Sequence, residues 1–308
     1  MTRRVFVHEV APRDGLQIEP RFVPTEDKIA WIDALSRTGL AKIEVTSFTS
    51  PRAIPTLADA DAVLRGIARV PGVTYAALVP NARGAERALA ANVDELNVVM
   101  SASESHNQAN LRMTSAQSLA QLAAIASLPR GKVINASLST AFGCPFEGDV
   151  PAARVFDRVA AFVTLGITRI TLCDTTGMAN PAQVGTLCRQ IANRWPELEL
   201  TAHFHNTRGM GLANAAAALD AGVRRFDAAL GGIGGCPFAP GASGNVCTED
   251  LVHMLEAMGW DTGVDLDALL AITERMPALL GHDVEGQVRK AGPATRRHAL
   301  PQSRDELA

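Results

Sequence analysis

The segment TRITLCDTTGMANPAQVGTLCRQIANRWPELELTAHFH (168–205) contains the repeating unit from which the fold can be predicted. Its first part, TRITLCD (168–174), is rich in β-branched residues and predicts a strand. The stretch PAQVGTLCRQIANRW (181–195) predicts a helix, and LELTAHFH (198–205) predicts a second strand. The segment therefore predicts two strands joined by a helix.

The same alternation extends through most of the chain. Short β-branched runs predict eight strands, at 4–10, 41–47, 73–79, 93–100, 132–139, 168–174, 198–205 and 223–232. Ala- and Leu-rich stretches predict helices between them, at 25–39, 85–90, 114–127, 151–166, 181–195 and 212–222. Eight strands alternating with helices over about 250 residues fit an α/β fold of the (β/α)8 type, a TIM barrel. A doubly wound open sheet has the same alternation and is the alternative.

Two further amphipathic segments follow the eighth predicted strand. They are EDLVHMLEAMG (249–259) and LDALLAITERMPALLG (266–281), and they predict a short C-terminal helical cap. We therefore expect residues 1–240 to form the barrel and residues 241–308 to form a cap and tail of the same domain.

Composition excludes several classes of partner. The chain has 308 residues, of which 47% are hydrophobic and 20% charged, and its formal net charge is −3. This balance gives no electrostatic basis for binding nucleic acid or a membrane surface. The start, MTRRVFVHEV, leads directly into a predicted strand, and no apolar run reaches about 18 residues. The odd number of cysteines and the lack of a CxxC pair predict free thiols in a reducing compartment, the cytoplasm.

The stretch HFHNTRG (203–209) predicts a metal site. Side chains alternate in a strand, so His203 and His205 face the same way, about 6.5 Å apart along the chain. In a barrel the carboxyl ends of the strands form one rim, which also receives Asp14 after the first strand and Asn245 after the eighth. Two imidazoles, a carboxylate and an amide oxygen suit Mg²⁺ or Mn²⁺, with Co²⁺, Fe²⁺ or Zn²⁺ as alternatives. Hydrogen-bonded core histidines are the structural alternative.

Other polar residues reach the same predicted rim. Arg13 could stabilise negative charge on a substrate oxygen, or it could form a structural salt bridge with Glu44 or Glu9. Cys236 lies in the glycine-dense loop GGIGGCPFAPGASGN (231–245), where a thiol could act as nucleophile, proton donor or redox switch, or fill a turn as a small residue. The remaining rim candidates are Gln17, Glu44, Ser47, Asp174 and Thr175.

These motifs together resemble a known family. APRDGLQ (11–17), IEVTSF (43–48), DTTG (174–177), HFHNTRG (203–209) and the loop GGIGGCPFAPGASGNVCTEDL (231–251) are similar to those of the hydroxymethylglutaryl-CoA lyases. The resemblance runs from about residue 5 to 280. The long loop is the specific part, because the RD and HxH motifs mark only a wider group of metal-dependent barrel lyases and synthases.

The resemblance implies a set of roles. Asp14, His203, His205 and Asn245 match metal ligands, Arg13 a catalytic arginine and Cys236 a loop cysteine. Substrate-binding positions are matched by Arg13, Gln17, Glu44, Ser47, Asp174 and Thr175. The implied reaction is retro-Claisen cleavage of a tertiary 3-hydroxyacyl-CoA, with Asp14 or His203 as base, Arg13 on the enolate oxygen and Cys236 protonating the enolate carbon. A homodimer is implied by the same resemblance.

The sequence also departs from the family pattern. Ile18 and Pro20 replace the Asn and Lys common in members, Asn206 replaces an Asp, and Arg208 is added. These changes leave the acyl group of the substrate open. A Claisen-type condensing enzyme or a 2-keto acid aldolase on the same barrel is an alternative, and a non-catalytic ligand-binding barrel is a second one.

Overall fold

Eight parallel strands form a closed barrel in chain order. A computed structural model describes residues 3–128, 131–235 and 244–298. The strands are β1 (Phe6–Glu9), β2 (Lys42–Ser47), β3 (Thr74–Leu78), β4 (Glu95–Ser101), β5 (Val133–Ser139), β6 (Arg169–Asp174), β7 (Glu199–Phe204) and β8 (Arg225–Ala228). The barrel closes because β1 pairs in parallel with β8 along its whole length. The predicted TIM barrel is confirmed, and the open sheet is wrong.

Twelve α-helices are present in the described residues. They are α1 (Thr25–Leu35), α2 (Ala60–Gly66), α3 (Ala82–Ala90), α4 (Glu104–Leu111), α5 (Ser115–Ala126), α6 (Ala152–Thr164), α7 (Pro181–Arg194), α8 (Gly211–Asp220), α9 (Thr248–Ala257), α10 (Leu266–Thr273), α11 (Met276–Leu280) and α12 (Gln287–Ala291). Helices α1, α3 and α5 to α8 lie where the sequence predicts them. Local signals start several of them: Asn180 caps α7 by accepting from Gln183 N, and Pro181 occupies the first turn.

The chain after β8 first completes the barrel. Helix α9 contacts β1, β8 and α8, so it occupies the position of the eighth barrel helix. Helices α10 to α12 follow, with α10 packed on α1 and α9, and α12 packed on α9. The segment predicted as one helix at 266–281 divides into α10 and α11, because Pro277 has no N–H and fits only the first turn of a new helix. The boundary predicted at 240/241 lies outside the described residues and stays a prediction.

The apolar core lies between the strands and the helices, whereas the barrel interior is polar. Ile32, Leu64, Ile125 and Phe162 on the helices are at most 1% exposed. No helix in the described part of the chain is long and apolar enough to cross a membrane.

Ion pairs and hydrogen bonds fill the inside of the barrel. Glu95 accepts from Lys42 Nζ at 2.5 Å and from Arg169 Nη1 at 2.8 Å, and Asn135 Nδ2 donates to Asn97 Oδ1 at 2.9 Å. A buried polar group is costly unless it is paired, so these contacts fix the interior side chains in one arrangement. They support the rim of the barrel from below.

Candidate metal centre and active site

Three potential ligands meet at the carboxyl end of the barrel. Asp14 lies in the π-helical turn Ala11–Gly15 that follows β1, His203 lies on β7, and His205 follows that strand directly. Ligand atoms of the three side chains lie within 4.8 Å of one another. The two Nε2 atoms are 3.2 Å apart, and His205 Nε2 is 4.0 Å from Asp14 Oδ2.

The fourth predicted ligand joins the same cluster. Asn245 forms an isolated bridge with His205, and its Nδ2 donates to Asp14 Oδ2 at 2.8 Å and to Ile233 O at 3.0 Å. The amide oxygen of Asn245 is buried and has no hydrogen-bond partner among the described residues. The closure of β8 against β1 therefore brings the beginning and the far end of the chain to one point.

This cluster fits a divalent cation. Adjacent ligands of an octahedral ion with bonds of 2.0–2.1 Å lie roughly 3 Å apart, close to the separation of the two imidazole nitrogens. The unpartnered oxygen of Asn245 is a free acceptor in a buried place, where such an atom is normally satisfied. Nitrogen and oxygen donors without thiolate suit hard or borderline divalent ions.

The charges around the cluster favour the metal-binding protonation states of Asp14 and His205. Burial opposes ionisation of Asp14, but the Arg13 guanidinium and the two imidazoles outweigh it and lower the pKa of Asp14 to about 2. Burial and the charge of His203 lower the pKa of His205 to about 4. Burial also acts against the charged form of His203, yet its contact with Asp227 and the charge of Asp14 raise its pKa. At neutral pH an ionised carboxylate and a neutral imidazole are ready to coordinate.

Arg13 is held by two carboxylates. Its Nε donates to Glu44 Oε2 and its Nη1 to Asp14 Oδ1, both at 2.5 Å, and Asn97 Nδ2 donates to the other oxygen of Glu44 at 2.6 Å. The salt bridge expected with Glu44 is thus present. Glu9 instead accepts from backbone N–H groups. Arg13 also lines the main cavity, so its guanidinium is both fixed and accessible.

A cavity of about 610 Å³ opens above the cluster. Arg13, Asp14, His203 and His205 line it. The predicted positions Gln17 and Thr175 line it as well, although Thr175 Oγ1 also accepts from Thr140 N at 2.9 Å.

Three predicted substrate contacts are not among the lining residues of that cavity. Glu44 holds Arg13, and Ser47 Oγ donates to Thr49 Oγ1 at 2.8 Å. Asp174 Oδ1 accepts from the backbone N–H groups of Met178 and Ala179, at 2.7 and 3.1 Å. These side chains support the wall of the cavity and the loop after β6.

The predictions for the loop residues Cys236 and Arg208 have different outcomes. Cys236 lies outside the described residues, so its predicted role stays a prediction. Arg208 Nη1 donates to the carbonyl oxygens of Thr176 and Gly177, at 3.0 and 2.9 Å, and so holds the loop after β6. The four other cysteines are free, as predicted, and buried.

Sequence reasoning missed Asp227 and His8. Asp227 lines the cavity, lies 3.4 Å from His203 Nδ1 and accepts from His8 Nδ1 at 3.0 Å. The signal was a titratable residue inside a predicted strand, Asp227 in 223–232 and His8 in 4–10. That signal does not say which face of the strand the side chain occupies.

A family model described as HMGL-like matches residues 4–276. The chain belongs to the HMGL-like family. Among its relatives, the hydroxymethylglutaryl-CoA lyase of Bacillus subtilis (strain 168) is 48% identical over 281 residues, which cover 91% of this chain and 94% of the relative. The (R)-citramalyl-CoA lyase of Chloroflexus aurantiacus is 44% identical over 301 residues, which cover 94% of this chain and 95% of the relative.

Solved structures agree with this membership of the HMGL-like family. An HMG-CoA lyase from Acinetobacter baumannii, in complex with coenzyme A and 3-methylmalate, superposes with a TM-score of 0.93 at 54% identity, over 97% of this chain and 98% of that one. The relatives place the chain among the divalent-metal-dependent carbon–carbon lyases.

Proposed function

We propose that the protein cleaves 3-hydroxy-3-methylglutaryl-CoA, or a close 3-hydroxy-3-substituted analogue, to acetyl-CoA and a keto acid. For the parent substrate the keto acid is acetoacetate. The observation that carries this proposal is the meeting of Asp14, His203 and His205 with the clamped guanidinium of Arg13 at one cavity. Relatives named for this activity are 39–48% identical to the chain over most of its length.

Asp14, His203, His205 and Asn245 are the residues proposed to hold the divalent cation. Their mixed nitrogen and oxygen set favours Mg²⁺ or Mn²⁺. The ion would supply Lewis-acid polarisation of a substrate oxygen and lower the pKa of the substrate hydroxyl.

The side chains of the protein perform the remaining chemistry in this proposal. The proposed base that removes the proton of the C3 hydroxyl is Asp14 or His203. Asp14 has a second carboxylate oxygen for this step, whereas His203 could accept the proton only while its Nε2 does not hold the cation. The electron pair of the O–H bond then forms the ketone, the C2–C3 bond breaks, and its electrons become the enolate of the acetyl thioester. Arg13 stabilises the negative enolate oxygen, and Cys236 delivers a proton to the enolate carbon.

The mouth of the cavity suits a coenzyme A thioester. Arg52 and Arg112 line the cavity, are exposed, and form no ion pair with any residue of the described ranges. Free guanidinium groups at an opening suit the phosphates of such a carrier. Within the cavity, Gln17 and Thr175 are the polar groups proposed to contact the acyl portion. Glu44, Ser47 and Asp174 would support the cavity wall without lining it.

The departures from the family pattern do not line the cavity proposed to hold the acyl group. Ile18, Pro20, Asn206 and Arg208 are not among the lining residues of the cavity in the described ranges. Asn206 Oδ1 accepts from Gly211 N, at 3.0 Å, and so acts in its own loop. This placement favours the parent substrate. The identity to the citramalyl-CoA lyase, over nearly the whole of both chains, makes (R)-citramalyl-CoA the second candidate.

A panel of 3-hydroxy-3-substituted acyl-CoAs tests the proposal. With Mg²⁺ or Mn²⁺, we expect hydroxymethylglutaryl-CoA to give acetoacetate and acetyl-CoA, EDTA to stop the reaction, and His205→Ala to lose both metal binding and turnover. Cleavage of citramalyl-CoA alone would reassign the acyl group. Turnover that survives both EDTA and His205→Ala would contradict the metal-dependent mechanism.

We also expect the protein to work in the cytoplasm as a homodimer, without nucleic-acid or membrane partners. Sedimentation of the purified chain measures the oligomer directly.

A further inference from the structure

Three polar side chains stand at one level of the barrel on adjacent strands. The pairing of β1 with β8 places His8 opposite Asp227, and the pairing of β7 with β8 places His203 opposite the same residue. Neighbouring strands lie about 4.8 Å apart, so the carboxylate stands between the two imidazoles. His8 Nδ1 is 3.0 Å from Asp227 Oδ1, and His203 Nδ1 is 3.4 Å from Asp227 Oδ2. The second distance is slightly longer than an ordinary N–H···O bond.

Burial leaves these three side chains to pair with one another rather than with water. The side chains of His8, Asp227 and His203 are 5%, 13% and 8% exposed. An ionised carboxylate only accepts hydrogen bonds, so both facing Nδ1 atoms carry a proton.

The orientation of His203 follows from that proton. A neutral imidazole with its proton on Nδ1 has a free electron pair on Nε2. His203 Nε2 faces His205 Nε2 across 3.2 Å, inside the cluster that includes Asp14. The other ring is held differently, since His205 Nδ1 is buried and has no hydrogen-bond partner among the described residues.

We propose that Asp227 is the positioning residue of His203, and that His8 in turn fixes Asp227. The inference rests on the proposed function, because His203 is a metal ligand only in that proposal. Asp227 keeps the ring proton on Nδ1 and leaves Nε2 free and aimed at the cation. A carboxylate behind a ligating histidine typically changes metal affinity by about 10–100-fold.

The variant Asp227→Asn tests the inference through metal affinity. The amide has nearly the same shape but can donate to Nδ1, which lets the ring proton move to Nε2. We expect Mn²⁺ to bind about 10–100-fold more weakly, measured by the electron paramagnetic resonance signal of the free ion. The matched control is Glu95→Gln, because Glu95 is a buried carboxylate of the barrel interior that bonds Lys42 and Arg169. The control should keep wild-type Mn²⁺ affinity.

Two substitutions of His8 test the second step and remain informative if Asp227→Asn does not fold. His8→Asn retains a donor near the position of Nδ1 and should keep most of the Mn²⁺ affinity. His8→Leu removes the donor and should weaken Mn²⁺ binding. Wild-type Mn²⁺ affinity in Asp227→Asn, or equal losses in Asp227→Asn and Glu95→Gln, would overturn the proposal. A raised KM with unchanged Mn²⁺ affinity would make Asp227 a substrate contact instead.

The ring tautomer can be measured without metal or substrate. In metal-free protein labelled with ¹⁵N-histidine, at a pH where the ring is neutral, His203 should carry its proton on Nδ1, and His203→Gln assigns its signals. Asp227→Asn should shift the population toward the Nε2–H form. A wild-type ring protonated on Nε2 would refute the inference. This result is independent of whether hydroxymethylglutaryl-CoA is cleaved, so the two proposals fail separately.

Discussion

At the scale of single residues, Arg13 and Asp14 are adjacent in the sequence, and their side chains meet at the same cavity. The π-helical turn Ala11–Gly15 lets both side chains reach the cavity, and they bond each other there. Glu44 on β2 accepts a hydrogen bond from Nε of the same guanidinium. Two carboxylates therefore fix the orientation of one cation that still faces the substrate cavity.

The shape of the Arg13 side chain, as well as its charge, should matter for catalysis. Lysine keeps the charge but cannot bridge Glu44 and Asp14 with a planar fork. We expect Arg13→Lys to lower kcat by about 100–1000-fold, the usual effect of losing one preorganised donor to a developing oxyanion.

Arg169→Lys is the matched control for that substitution. Arg169 also bridges two carboxylates, Glu95 and Glu199, but does so inside the barrel away from the cavity. The control should lower the melting temperature while kcat stays near wild type. Steady-state kinetics and thermal unfolding of both variants measure the difference. If Arg13→Lys and Arg169→Lys lowered kcat equally, the effect of Arg13→Lys would come from a disturbed fold.

The sequence predicted the cluster residues that lie at or just after strand ends, and it missed Asp227 and His8, which lie within strands. Asp14, His203, His205 and Asn245 lie at strand ends, and in a closed barrel all such ends meet at one rim. Asp227 lies within β8, where its facing depends on register. Register is set by pairing with β1 and β7, which are distant in sequence, so no local pattern reports it.

At the scale of elements, the loop after β8 depends on close backbone approach. Gly244 has φ +102°, and a Cβ at this position would lie 2.0 Å from Gly232 O. Asn245 is the next residue, and Asn206 N donates to Gly244 O at 2.8 Å. A glycine at position 244 therefore meets a real steric need at the place where Asn245 joins Asp14.

A methyl group at Gly244 should displace Asn245. We expect Gly244→Ala to destabilise the protein by about 3 kcal/mol or more, because the clash is with backbone and the left-handed conformation adds strain. Activity and Mn²⁺ affinity should fall with it.

Gly259→Ala separates that clash from conformational strain. Gly259 has φ +80°, but no atom lies within 4 Å of the place that an alanine Cβ would occupy. The substitution should therefore cost only about 1 kcal/mol and leave activity intact. Denaturant unfolding and Mn²⁺ titration measure both variants. Full Mn²⁺ affinity in folded Gly244→Ala would contradict the role of this backbone contact.

Elements with strong periodicity were predicted well, and short polar ones were not. All eight strands lie within one residue of their predicted ranges. Strands of a parallel barrel are buried on both faces, so they appear in the sequence as nearly continuous β-branched runs. Helix α4, ESHNQANL, has no apolar stripe and starts because Ser103 caps it by accepting from His106 N. Such a helix depends on a cap and on tertiary contacts, which composition does not show.

At the scale of the whole molecule, two buried carboxylates close the barrel at the junction of β1, β8 and α9. Glu9 accepts from Ala11 N and Leu230 N and from Thr248 Oγ1, and Glu249 accepts from Gly231 N. Burial raises the pKa of Glu9 to about 7 and the pKa of Glu249 to about 8, despite hydrogen bonds that favour the ionised forms. The stability of the closed barrel should therefore depend on pH.

The contribution of Glu249 should decrease as pH rises. Below about pH 4.5 this carboxyl is protonated in both the folded and the unfolded chain, so pH has no effect through it. Between about 4.5 and 8 it ionises only in the unfolded chain, which stabilises that state and lowers the free energy of unfolding. The total change is on the order of 5 kcal/mol, most of it between pH 5 and pH 8, and it is complete above about pH 8.

The substitution Glu249→Gln isolates this contribution, because glutamine can still accept from Gly231 N but does not titrate. Glu9 titrates in both proteins and cancels from their difference, apart from its charge interaction with Glu249. The stability of Glu249→Gln relative to wild type should increase from pH 5 to pH 8, on the order of 3 kcal/mol, in urea unfolding followed at several pH values. Glu197→Gln, which makes the same substitution at an exposed carboxylate, is the matched control. If the stability difference between Glu249→Gln and wild type did not vary with pH, Glu249 would already be ionised in the folded protein. The N–H of Gly231 and the other surroundings would then compensate for its burial.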